Sequence, residues 1–444
     1  MTMNLDEYYG RRVLVDQPQW QETIPPTSVE VMPTMELHGQ RVRCLRCGHE
    51  TNRRLAALPN DEFYCPHCIN LGRVSTLNKF YHVPEPNQFT IQRPVLTWTG
   101  QLSPLQEEAA AKVDQGLAAR WHQLLWAVTG AGKTEMMFYG IAHALERGER
   151  LAVASPRVDV CLELYPRLEA AFQNTTMVLL HGRQELPYRY AQLTVCTTHQ
   201  LLRFYHAFDN LIIDEVDAFP FAANDALLYA SQQAIKEDGG CLYLTATPGP
   251  VLLRRVKRGE LTVSYLPLRY HGHLLPRINL QLAPGWRRGL RRGHLPASLV
   301  ARLRRSLSDG YRFLLFLPHV ADLAAVEPLL REALPGRSFA TVHAADQHRL
   351  AKVQAMRDGK YDFLVTTTIM ERGVTFPEID VFILGADDPI FSSSALVQIA
   401  GRAGRAVSRP TGTVCFWIAT QCRRVRLAVR QVDFMNRKGR SLQQ

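Results

Sequence analysis

AVTGAGKT, residues 127–134, closes a β-rich run, LLWAV (124–128), and opens a helical pattern over 133–147. A glycine loop between a strand and a helix is built for phosphate. Gly130 and Gly132 let the N–H groups of Gly130, Ala131 and Gly132 turn toward phosphate oxygens, and the helix N-terminus adds partial positive charge. Lys133 has the reach for the β- and γ-phosphates of ATP, and the Thr134 hydroxyl is a ligand type for Mg²⁺. Ala127 stands where such loops usually begin with glycine, which leaves a plain turn capping a helix as the alternative.

Outward from the loop the chain keeps a strand–helix rhythm. LAVAS (151–155), TMVLL (176–180), LTVCT (193–197), NLIID (210–214) and CLYLT (241–245) alternate with helical patterns over 157–171 and 221–236. After a basic stretch the rhythm resumes with FLLFL (313–317), FATVH (339–343), FLVTT (363–367), VFILG (381–385) and VCFWI (414–418). Apolar runs separated by helices predict parallel sheets, so the fold class is α/β with two tandem parallel-sheet domains behind a small cysteine module. The expected boundaries are an irregular N-terminal extension (1–40), a four-cysteine module (41–75), a first α/β domain with its leading linker (76–265), a basic inter-domain connection (266–295), a second α/β domain (296–420) and a basic C-terminal segment (421–444).

NLIIDEVD (210–217) is an apolar strand ending in acids. Asp214 falls at the carboxyl end of that strand, where open α/β sheets bind ligands, and can hold Mg²⁺ directly or through water. Glu215 is placed to polarise an attacking water. QIAGRAGR (398–405), in the second domain, offers Gln398, Arg402 and Arg405. Arginines three residues apart share a face if helical, and they suit the charge that develops during phosphoryl transfer.

With 444 residues, 46% of them apolar and 21% charged, the chain excludes disordered and fibrous classes. No apolar run reaches the ~18–20 residues of a membrane span, and MTMNLDEYYG carries no apolar leader, so a cytoplasmic chain is expected. The net charge is +11, and residues 251–312 alone hold 14 Lys/Arg against Glu260 and Asp309. A tract so one-sided, with a second from Arg423 to Arg440, points to a phosphate polymer. Phe204, Tyr205 and Trp286 are candidate base-stacking aromatics.

Cys44-x₂-Cys47 and Cys65-x₂-Cys68 are separated by 17 residues. That spacing fits a closed tetrahedral zinc site, structural in kind, with iron or free thiols as alternatives. The other five cysteines sit in apolar surroundings and suit core packing.

Taken in order, AVTGAGKT, ASPRVDVCLEL (154–164), TTHQLLRF (197–204), DEVD, TAT (245–247), TTTIMERGVTFPEIDV (366–381) and QIAGRAGR resemble the superfamily 2 helicases and translocases over about 102–420. The resemblance implies two RecA-like domains, with ATP between them and nucleic acid across them. It implies Gln106 on adenine, Thr245 and Thr247 coupling the two sites, and Glu371, Arg372, Gly373 and Thr375 near both ATP and the strand. The N-terminal cysteine module, AVTGAGKTEM and DEVDAFP together resemble ComFA, the late competence family of Gram-positive bacteria. That resemblance implies a DNA-stimulated ATPase, requiring ATP, Mg²⁺ and Zn²⁺, that pulls single-stranded DNA during uptake. It also implies a place at the inner face of the cell membrane, with ComFC, the ComEC channel and DprA as partners and room for a homo-oligomer. The alternatives are a PriA-like replication-restart or repair helicase, whose cysteine clusters lie within the helicase region instead, and a zinc-dependent nucleic-acid adaptor.

Overall fold

The computed structural model describes residues 5–15, 28–182, 188–368 and 376–443. The chain forms two compact units, Met1–Leu125 with Lys133–Tyr265, and Trp126–Gly132 with Leu266–Gln444.

The first unit opens with β1 (Val13–Val15), β2 (Glu30–Pro33), β3 (Met35–His38), β4 (Arg41–Cys44), β5 (Glu50–Asn52) and β6 (Lys79–His82). They make two small antiparallel sheets, ordered β1-β6-β2 and β3-β4-β5. The described residues of the stretch 1–40 are therefore not an irregular extension. VLV and EVMP are too short to show a period, and they become strands because β6 pairs with both, Leu14 and Met32 each opposite Phe80.

This N-terminal region is seated on the rest of its unit. The Tyr205 N–H donates to the Gly10 carbonyl at 2.9 Å, and the Arg12 N–H to the Arg203 carbonyl at 3.2 Å. Beneath them lies the fully buried Arg150. Its Nη1 donates to Glu85 Oε2 at 2.6 Å and to the Tyr9 carbonyl at 3.0 Å, and its Nη2 to the Tyr188 hydroxyl at 2.7 Å. Glu85→Ala strands that cation out of water, so unfolding free energy should fall by about 3–5 kcal/mol, as read by urea denaturation.

Next come α1 (Pro104–Ala118), β7 (His122–Ala127), α2 (Phe138–Glu146), β8 (Leu151–Ser155), α3 (Val158–Ala171), β9 (Met177–Leu180), β10 (Leu193–Thr197), β11 (Phe208–Ile213), α4 (Asp225–Ala234), β12 (Ile235–Thr245), α5 (Pro250–Lys257) and β13 (Thr262–Leu266). The seven-stranded sheet runs β13-β7-β12-β11-β8-β10-β9. The pairs from β12 to β9 are parallel. β8, β10 and β11 are buried at every position, as strands covered on both faces must be.

The second unit holds β14 (Ile278–Leu282), α6 (Trp286–Arg291), α7 (Ala297–Ser308), β15 (Phe313–Phe316), α8 (Val320–Ala333), β16 (Phe339–Val342), α9 (Arg349–Arg357), β17 (Phe363–Thr366), β18 (Asp380–Leu384), α10 (Ser393–Ala400), β19 (Val414–Ile418) and α11 (Arg423–Arg440). Its six-stranded sheet, β14-β19-β18-β15-β17-β16, is parallel throughout. Phe313, Phe363, Phe382 and Trp417 fill its core.

Residues 266–295 are more than a connection. Within them β14 pairs with β19, Ile278 opposite Val414 through Leu282 opposite Ile418, and α6 buries Trp286 and Leu290. The arginines hid a short strand whose partner lies far along the chain. The basic C-terminal segment is a helix that buries Val425, Ala428, Val432 and Met435 and exposes Arg423, Arg426, Arg430, Arg437 and Arg440.

Candidate functional site

The loops after β7, β11 and β12 carry three motifs read from the sequence. β12 lies between β7 and β11 in the sheet, so these loops leave neighbouring strands. Gly130 and Gly132 adopt φ of +79° and +75°, which l-residues rarely tolerate. A side chain at Gly130 would meet nothing within 4 Å, so that position needs glycine for backbone direction rather than space. Ala131 and Thr134 are buried, and the chain is already right-handed helical at Thr134, ahead of α2.

Asp214 directly follows β11, its N–H donating to the Ala154 carbonyl of β8 at 2.8 Å. Lys133 Nζ lies 3.5 Å from Asp214 Oδ1. Lys133 and Asp214 thus meet although they are remote in sequence. Glu215 takes φ of +52°, an uncommon conformation for a residue with a Cβ, and its N–H donates to Asp214 Oδ1 at 2.8 Å.

The sequence reading missed Asp217. Its Oδ1 accepts from Thr245 Oγ1 at 2.5 Å and its Oδ2 from Thr247 Oγ1, while the Thr247 N–H donates to Thr245 Oγ1 at 2.9 Å. The last acid of DEVD therefore ties β11's loop to β12's. Short polar residues at two strand ends were the available signal. Gln106, assigned to adenine, is buried on α1, where its Oε1 accepts from the Ser103 N–H at 2.9 Å.

In the second unit, α10 places the buried Gln398 in its last turn and ends at Ala400. The condition that Arg402 and Arg405 share a helical face is not met. Both lie in the turn beyond the helix, Arg402 buried and Arg405 half-buried, with Arg405 Nε donating to the Gly401 carbonyl at 3.2 Å. Glu371, Arg372, Gly373 and Thr375 lie outside the described residues.

The candidate base platforms are not exposed. Phe204 and Trp286 are 3% and 5% exposed, and Tyr205 lies between the His206 ring and the Arg12 guanidinium, 3.5 Å from its ring centre. Arg287 is likewise committed, donating to Asp388 Oδ2 at 2.7 Å; Arg288, Arg291 and Arg292 are exposed.

The four cysteines converge. Cys44 ends β4, Cys47 follows in a tight turn, and Cys65 and Cys68 flank the start of a short helical turn, Pro66–Leu71. All four sulfurs are buried and lie within 4.8 Å of one another. Tetrahedral zinc–thiolate bonds of roughly 2.3 Å place sulfurs roughly 3.8 Å apart. The Cys44–Cys68 and Cys47–Cys65 separations are 3.9 and 3.6 Å, so the set fits zinc. Arg46 Nε donates to Cys68 Sγ at 3.4 Å and its Nη2 to the Cys68 carbonyl at 3.1 Å, a cation beside a thiolate-rich centre. His49 and His67 stack on each other with ring centres 4.0 Å apart.

Two parallel-sheet RecA-like domains with a glycine loop, an acidic strand end and an arginine turn define an ATP-hydrolysing protein of the helicase class. The family model for the helicase conserved C-terminal domain matches residues 297–407, and that for the type III restriction enzyme res subunit matches 99–249. The competence protein ComFA N-terminal domain matches 8–82. Competence protein ComFA of Streptococcus pneumoniae is 37% identical over 439 residues, 99% of this chain and 100% of that protein. Its namesake in Bacillus subtilis is 40% identical over 387 residues, 86% and 83% of the two chains. The chain belongs to the ComFA family. Among solved structures, S. cerevisiae Dbp5 bound to RNA and ADP BeF3 aligns with a TM-score of 0.50 at 13% identity, covering 75% of this chain and 91% of that one, a likeness of fold.

Proposed function

We propose that this competence-family helicase is a DNA-stimulated ATPase that translocates single-stranded DNA during uptake, working in the cytoplasm at the inner face of the membrane with the competence partners named above. The observation that carries it is the likeness to a competence protein over 99% of this chain, joined to a glycine loop whose Lys133 lies 3.5 Å from Asp214. Among the described residues no helix is long and apolar enough to cross a membrane, in keeping with a peripheral place.

In this assignment Lys133 and the loop N–H groups bind the ATP phosphates, Glu215 orients the attacking water, and Arg402 and Arg405 stabilise charge on the transferring phosphoryl group. Thr134 and Asp214 would hold Mg²⁺, which would supply further charge neutralisation. Asp217 carries any shift of the DEVD turn to Thr245 and Thr247 through its two hydrogen bonds. Cys44, Cys47, Cys65 and Cys68 would hold Zn²⁺. Deleting the gene should abolish transformation while leaving growth and repair intact; a repair defect with normal transformation would overturn the assignment.

Arg288, Arg291 and Arg292 are the exposed arginines of the α6 region. If each meets one phosphate, changing all three to Gln makes the slope of log K against log[salt] for single-stranded DNA less negative by about 2, at roughly 0.7 per contact. Salt titrations of variant and parent decide it, and an unchanged slope removes this surface from the DNA path. Arg287 is left in place because it pairs with Asp388.

A further inference from the structure

The arginine turn of the second unit is gripped by three consecutive residues that belong to none of the motifs quoted above. Residues 401–405 follow the carboxyl end of α10, where a helix leaves carbonyls unpaired and carries partial negative charge. Arg269, only 2% exposed, fills that end. Its Nη1 donates to the Ala403 carbonyl at 2.6 Å and to the Gly404 carbonyl, and its Nη2 to the Gly401 carbonyl at 3.1 Å. The Tyr270 hydroxyl donates to the Arg405 carbonyl at 3.3 Å, and His271 Nε2 lies 3.2 Å from the Gly404 carbonyl. Four of the five backbone carbonyls from Gly401 to Arg405 thus have a partner in Arg269–His271.

The grip is tight from other directions. Gly404 has φ of +67°, and a Cβ there would lie 2.3 Å from the Pro410 carbonyl oxygen and 3.0 Å from Arg269 Nη1. A Cβ at Gly401 would lie 1.8 Å from Thr129 Oγ1. The Tyr270 N–H also donates to the Gly130 carbonyl at 3.0 Å, so the same three residues hold a phosphate-loop glycine counted in this unit.

The chemistry of Arg269 is unusual for a residue that only stabilises a fold. Burial pushes its pKa down to about 9, and the charge acting on it is that of another cation, Arg405. A buried arginine is ordinarily matched with a carboxylate. Here carbonyl dipoles take that place, and two guanidiniums are kept near each other at the cost of their repulsion. Such an arrangement suits a turn that must present positive charge to an anion.

We propose that Arg269, assisted by Tyr270 and His271, is the positioning element that sets the turn carrying Arg402 and Arg405 for phosphoryl transfer. This rests on the assignment of those two arginines under Proposed function. Arg269 touches backbone, so its effect reaches the reacting phosphate only through the arginines it places. Misplacing charge-stabilising groups lowers the rate of the chemical step more than nucleotide affinity.

The experiment is steady-state ATP hydrolysis by the full chain with and without single-stranded DNA. Parent, Arg269→Met, Arg269→Lys, Tyr270→Phe and Arg402→Ala proteins are compared. Arg269→Met should lower kcat by about 30-fold with KM for ATP changed less than about 3-fold. Tyr270→Phe, at a half-exposed residue, should lower kcat by about 2–5-fold. Arg269→Lys keeps the charge but not the planar fork and should recover only part of the loss. A parental kcat in Arg269→Met, beside an inactive Arg402→Ala, overturns the positioning role alone. A parental kcat in Arg402→Ala overturns the arginine assignment itself. If Arg269→Met does not fold, Arg269→Lys decides, since a parental kcat there shows that the three-carbonyl fork is dispensable.

Discussion

Lys133→Ala should abolish ATP turnover in a protein that still folds, and Glu215→Gln should bind ATP without hydrolysing it. Lys133 is partly exposed, and its side chain serves charge rather than packing, its partner being Asp214 at 3.5 Å. Losing the ammonium leaves the phosphate charge unmet in the ground and transition states alike, so both binding and rate should suffer. Glu215→Gln is a different lesion. The amide matches the carboxylate in size, and the left-handed turn at this position is set by backbone contacts on either side of it. What is lost is the charge that orients water, worth roughly 10³-fold in kcat by comparison with single charge-stabilising groups elsewhere. Turnover assays with nucleotide-binding measurements on each variant check both statements. A Glu215→Gln protein hydrolysing ATP at the parental rate would remove that carboxylate from the mechanism.

Removing the metal centre should have the other large effect. The parent should contain about one zinc per chain, and Cys65→Ser with Cys68→Ser should contain none, because a centre reduced from four thiolates to two no longer closes. The module around it has little core, so residues 41–72 should become accessible to protease. The damage should not stay local. Gly48, in the first cysteine turn, packs so closely on Tyr229 of α4 that a Cβ would lie 2.7 Å from its ring, and the Tyr229 hydroxyl donates to the Leu45 carbonyl at 3.3 Å. α4 follows the DEVD loop, so disordering the cysteine turn should also lower ATPase activity. Metal analysis and limited proteolysis test the first two outcomes and turnover the third. Iron in place of zinc, or no metal in the purified parent, would sink the assignment.

Much of this was legible because the signals are local. A glycine loop, an acidic strand end and paired cysteines each need only neighbouring residues to be recognised. The buried parallel strands were legible for a related reason, since strands covered on both faces read as continuous apolar runs. Failures came where a residue's role depends on a distant partner. Trp286 and Phe204 looked available for base stacking, yet a Cβ on Gly385 would lie 2.4 Å from the Trp286 ring, and Phe204 packs against Phe208. Arg287 belonged to a basic run by sequence and to Asp388 by structure.

The sequence by itself determined the two parallel sheets, the cysteine quartet and the candidate phosphate, acid and arginine motifs, because spacing and pattern encode them. Tertiary structure decided which short runs became strands, since β1, β2 and β14 exist only through pairing with β6 and β19. It also decided that Asp217 joins DEVD to Thr245 and Thr247, and that Arg269 caps the turn from Gly401 to Gly404. The physical reason is the same in each case. A hydrogen bond or a close contact between residues far apart in the chain has no periodicity to leave in the sequence, and comes into being only when folding brings its two ends together.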